Sequence, residues 1–179
     1  MGIDIYLHWR GQTEEEEKAQ ATGFAIDAGD VGYLREAYHG APYVTKFFLQ
    51  EAFENNGEAA IPAAVLRERL PVAVLMSLFR EHKLYGDGKD PAMIRSDGET
   101  SDSLEKLGDI MKNVFEKEVH DMEHEKFAAE IDKDSIKTAE KLIAIGALPD
   151  YAQAFVDFVE LAEKKEALLG EPCVIKASY

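Results

Sequence analysis

The densest concentration of versatile side chains in this chain lies between Gly32 and Tyr43, where six of twelve positions are Tyr33, Arg35, Glu36, Tyr38, His39 and Tyr43. Arg35 offers a planar fork of donors suited to clamping a carboxylate or phosphate. His39 can carry a proton near neutral pH, and each tyrosine joins an apolar body to a polar tip. The segment falls where the hydrophobic pattern changes from period 2 to period 3.6. Connections of that kind hold polar groups on a rigid frame, so these six residues form the candidate ligand-binding set. Packing is the competing assignment: the three tyrosines cover the sheet edge, while Arg35 and Glu36 pair with neighbours.

A second constellation is His120-Asp121-Met122-Glu123-His124, which fits the H-x-x-E-H pattern of inverted zinc proteases. Histidines four apart share a helix face. Both would hold one Zn²⁺ or another divalent metal, with Glu123 as the catalytic general base of a metal-dependent hydrolase. The helical wheel opposes this reading. At about 100° per residue from Leu104, the apolar stripe covers about 300° to 60°, whereas His120 falls at about 160° and His124 at about 200°. Both point away from the core side, so another element would have to cover them and supply a third ligand. The favoured expectation therefore has no metal and no cofactor. Gly86-Asp87-Gly88-Lys89 lacks the upstream glycine and following hydroxyl of a P-loop, no G-x-S-x-G elbow occurs, and Cys173 reads as a small buried hydrophobe.

The elements that position these groups follow from periodicity. Ile3, Ile5, Leu7 and Trp9 alternate with Asp4, Tyr6 and His8, as in a strand with one buried face. Thr13 with Glu16 reads as a capping box opening a short, exposed helix that begins with four glutamates. Residues 22–27 and 31–35 read as a hairpin. From Pro42 a helical period runs to the stop at Asn55-Asn56-Gly57. Residues 61–69 and 72–85 read as two helices, each opened by a proline, Pro62 and Pro71. Residues 85–101 form a long Gly-, Asp- and Ser-rich loop, the expected flexible segment. Asp102 with Glu105 then opens a helix whose stripe runs through Leu104, Leu107, Met111, Phe115, Val119 and Met122. Helices at about 134–145 and 149–169 follow, and residues 173–179 return to a strand expected to pair with residues 3–9.

The expected architecture is one α+β domain over residues 1–179: a small, mainly antiparallel sheet from the N-terminal strands and the C-terminal strand, covered by about five helices. Its charge excludes some functions. Thirty-five acids against 20 bases leave a net charge of −15, which repels nucleic-acid phosphates and anionic lipid. No apolar run approaches the roughly 18 residues of a membrane span, the opening carries no secretory leader pattern, and one cysteine cannot form an internal disulfide. A cytoplasmic setting is the expectation. All six arginines lie at or before Arg95, so recognition of an anion is expected in the first half.

The opening Met1-Gly2-Ile3-Asp4-Ile5-Tyr6, the Gly32–Thr45 segment and the closing Gly170-Glu171-Pro172-Cys173 with Ala177-Ser178-Tyr179 resemble a family of short proteins from bacteria and their phages. No established activity attaches to that family, so the resemblance implies a bacterial, cytoplasmic setting and no catalytic residue. The functional expectation is a binding or interaction module with residues 33–43 as its recognition segment, taking an unidentified protein or a small anionic ligand. Alternatives are the hydrolase at 120–124 and an acidic decoy that mimics nucleic acid. Lysines interleave with the acids from Lys106 to Lys141, which reads more simply as a solvated helix surface.

Overall fold

Alternating burial along the first strand fixes the plan of the molecule. In the computed structural model, which describes residues 2–22, 28–38, 43–85, 129, 131 and 133–179, β1 spans Gly2–His8. Its Ile3, Ile5 and Leu7 are completely buried, whereas Asp4, Tyr6 and His8 on the opposite face retain exposure. The other strands are β2 (Tyr33–Ala37), β3 (Glu58–Ala60) and β4 (Val174–Ser178). They form one antiparallel sheet in the order β2-β1-β4-β3. The helices among the described residues are α1 (Glu14–Thr22), α2 (Val44–Phe48), α3 (Gln50–Glu54), α4 (Ala63–Tyr85), α5 (Lys133–Ile145) and α6 (Asp150–Leu169). The fold is α+β, and the C-terminal strand pairs with the N-terminal one, Leu7 opposite Ile175.

The chain divides into two compact units: Met1–Tyr38 with Thr45–Leu70 and Ala154–Tyr179, and His39–Val44 with Pro71–Gln153. In the first, Ile3, Ile5 and Leu7 of β1 with Leu34 and Ile175 share a core with Phe48, Leu66, Phe158 and Val159, all essentially inaccessible to water. Phe48 meets Phe155 and Phe158 edge-on, with ring centroids 5.5 and 6.4 Å apart. Forked ion pairs brace this unit: Arg67 grips Glu163 at 2.7 and 2.6 Å, and Arg69 grips Glu51 at 2.7 and 2.6 Å. The Ala63 N–H at the start of α4 donates to Glu166 Oε2 at 2.6 Å, occupying a donor that the helix itself leaves unmatched. In the second unit, Ser135, Thr138, Ala139 and Leu142 form the buried side of α5, and Ala73, Val74, Met76 and Leu78 that of α4.

The capping box forms as the sequence predicts. Glu16 N–H donates to Thr13 Oγ1 at 3.2 Å, and Thr13 N–H to Glu16 Oε2 at 2.9 Å. Buried Gln20 then donates to the carbonyls of Leu7 and Gly32, joining this exposed helix to the sheet. A 3₁₀ turn at Gly29–Val31 leads into β2. A Cβ on Gly29 would sit 1.8 Å from the Ala154 carbonyl oxygen, so only glycine fits there.

Four expectations change. The two helices anticipated over 61–69 and 72–85 are one, α4, with Pro71 inside it. An interior proline costs roughly 3 kcal/mol. Burial of Leu66, Leu70, Ala73 and Val74 on either side of it offsets that loss. The helical run from Pro42 is interrupted at Leu49, whose side chain is fully buried and whose ψ of 36° departs from helix. β3 was not anticipated: its three residues are too few for a period-2 pattern, and pairing with β4 holds them. Of the expected hairpin, Thr22 belongs to α1, Ala28 bridges Tyr33, and residues 23–27 lie outside the described residues. So do the remainder of the 85–101 loop after Tyr85 and the helix expected from Asp102 to Met122.

Candidate functional site

Register decides which side chains meet. Antiparallel pairing places Asp4 opposite Arg35 and Tyr6 opposite Tyr33 across β1 and β2. Tyr6 also stands opposite Lys176, and Asp4 opposite Ser178, across β1 and β4. Paired residues share a face, so two polar rows cross the sheet on the side away from Ile3, Ile5 and Leu7. One row is Tyr33, Tyr6, Lys176 and Glu58; the other is Arg35, Asp4 and Ser178.

Tyr33 organises the β2 end of these rows. Its ring is fully buried and packs 5.4 Å from that of Tyr6, and its hydroxyl donates to Asp4 Oδ1 at 2.6 Å. Burial, followed by the hydrogen bond to Asp4 and the Asp4 charge, pushes its phenol well above the usual tyrosine range. Tyr6 is raised for related reasons, burial first and then Asp4. Arg35 is exposed, with Nη1 3.7 Å from Asp4 Oδ1. Hydrogen bonding to Tyr33, and then the charge of the Asp4 carboxylate, favour its charged form. The guanidinium is thus permanently cationic and oriented while still reaching solvent. Lys176, on the same face, lies 3.9 Å from Glu58, with about half of each side chain in water.

The predicted residues that belong to the first unit divide between the two sides of the sheet. Tyr33 and Arg35 lie together on the polar sheet face. Glu36 points to the opposite side, where it is buried and accepts hydrogen bonds from both the N–H and the hydroxyl of Thr45, fixing the start of α2. Tyr38 is exposed just beyond β2. Tyr43 belongs to the second unit, where the Arg80 guanidinium sits 4.8 Å over its ring. In the same unit, burial and the Glu81 charge raise the Tyr151 phenol, and burial raises the Glu81 carboxyl. His39 lies outside the described residues, as do His120, Glu123 and His124. Among the described residues, no group of three His, Cys, Asp or Glu side chains could hold a metal ion.

Asp4, Tyr6 and Lys176 were not singled out from sequence, although the alternation in residues 3–9 had already placed Asp4 and Tyr6 on the side away from the core. Among the described residues, no single helix is long and apolar enough to cross a membrane. Comparison with models of protein families, with curated proteins and with solved structures gives no match.

Proposed function

We propose that the protein is a binding module whose recognition surface is the polar sheet face around Arg35, and that the group it takes is an anion, a carboxylate or phosphate on a small ligand or an acidic protein segment. One observation carries this reading: an exposed guanidinium held from behind by Tyr33 and Asp4. A cation oriented before binding loses less freedom when its ligand arrives. Lys176 adds a second positive charge on the same face. The Asp4 carboxylate makes the site selective, because an anion must form geometrically good contacts with Arg35 to displace part of that pairing. Buried Cys173, its thiol pushed up to about 11 chiefly by burial, supports the reading of a protein made for a reducing, cytoplasmic setting.

The test is an amide chemical-shift titration with citrate and with inorganic phosphate. Saturable shifts in Gly2–His8 and Tyr33–Ala37 are expected, weakened at least about tenfold by Arg35→Ala. Shifts scattered over the surface, or an Arg35→Ala titration matching the parent, overturn the proposal.

A further inference from the structure

A separate cavity of about 200 Å³ opens beyond the end of β1 in the first unit, between the capped helix α1, the 3₁₀ turn and α6. We infer that it binds a small zwitterion with an apolar body, the chemical class of a free aliphatic amino acid. Its apolar wall is Trp9 with Ala19, Val31 and Leu161. Four charges complete the lining, and they are not equivalent. Lys165 is largely buried: its ammonium sits 4.4 Å over the Trp9 ring and 3.1 Å from Glu16 Oε1. That ammonium already occupies a face of the indole, so the face is closed to a ligand cation. Glu16 is held in turn by the Thr13 cap. Lys165 and Glu16 therefore act together as a neutral part of the wall.

The other two charges are Lys164 and Asp30, both exposed. Leu161, Lys164 and Lys165 stand three and four apart, so one side of α6 presents both the apolar contact and the cation. Asp30 comes from the 3₁₀ turn on a different wall. One cation and one anion beside an apolar surface match a ligand carrying a carboxylate and an ammonium on an aliphatic body. A simple anion would be opposed locally by Asp30, and a simple cation by Lys164. A zwitterion satisfies both. The volume also limits size, because it falls below the roughly 300–1,000 Å³ of pockets that take drug-sized ligands.

Trp9 is the chain's single tryptophan, so its fluorescence reports on this wall alone. The probes are L-leucine, L-leucinamide, which lacks the carboxylate, and 4-methylpentanoate, which lacks the ammonium. L-leucine should give a saturable change with half-saturation at about 1 mM, and each analogue should bind at least about tenfold more weakly. Lys164→Met should weaken L-leucine about tenfold and leave L-leucinamide unchanged. Asp30→Asn should weaken L-leucine and leave 4-methylpentanoate no weaker than before. Both substitutions are of exposed side chains, and the unfolding transition of each variant checks the fold. A flat L-leucine titration, equal response to all three probes, or parental L-leucine binding by both variants overturns the assignment. Arg35→Ala should leave this titration untouched, which keeps its outcome separate from that of the sheet-face proposal.

Discussion

The two faces of the seven-residue strand β1 serve opposite purposes. On one face, Ile3, Ile5 and Leu7 vanish from water into a core shared with Phe48 and Phe158. On the other, Asp4 and Tyr6 enter a set of directional contacts with Tyr33 and Arg35. The first kind of contact is non-directional and scales with buried area. The second is specific in geometry but small in net free energy, because each group gives up water to make it. A face of the second kind can exchange one partner for another without unfolding the protein. That is the physical reason to place recognition there, and it predicts a graded response to substitution.

Ile5→Ala should have the largest effect. Deleting a fully buried aliphatic side chain from the middle of the central strand should cost about 2–5 kcal/mol, read as a lower denaturation midpoint at unchanged slope. A loss below about 1 kcal/mol would mean that the core face does not carry the stability assigned to it. Glu36→Ala comes next. It lies on the core side yet acts through hydrogen bonds, so it tests whether face or contact type sets the magnitude. Stranding the N–H and hydroxyl of Thr45 should cost about 1–3 kcal/mol. Amide exchange should quicken at Thr45 and in the first turn of α2 before it quickens in β1.

Legibility in the sequence follows the same division. The alternation that begins at Ile3, the Thr13–Glu16 box and the helix at about 149–169 could be read directly, because each is a local pattern with a local physical cause. Pro71 misled, since the rule against interior proline is local while the burial that overrides it depends on the whole fold. The candidate site was half legible. Tyr33 and Arg35 stood out by composition. Their partner Asp4 lies 29 residues from Tyr33, and only strand register brings it beneath the phenol. Glu36 looked equivalent to Arg35, but one step along a strand reverses the side of the sheet, and that step turned a candidate ligand contact into a helix anchor.

Tyr33→Phe removes one oxygen from the polar face and little volume, and its expected cost at neutral pH is about 0.5–1.5 kcal/mol. The pH dependence of that cost separates the hydrogen bond from any packing change. Burial and Asp4 raise the Tyr33 phenol above its unfolded value, so the folded protein holds this proton more tightly than the unfolded chain does. Its contribution is therefore fully present below the ordinary tyrosine pKa of about 10 and declines as pH rises above it, because the unfolded state begins to gain from ionisation. Phenylalanine has no proton to lose. The stability gap between parent and Tyr33→Phe, measured by chemical denaturation, should be constant from pH 7 to about 9 and then narrow above about 10. A gap that stays fixed across this range would assign the loss to packing against Tyr6, and Tyr33 would then belong energetically with the core face rather than with the polar one.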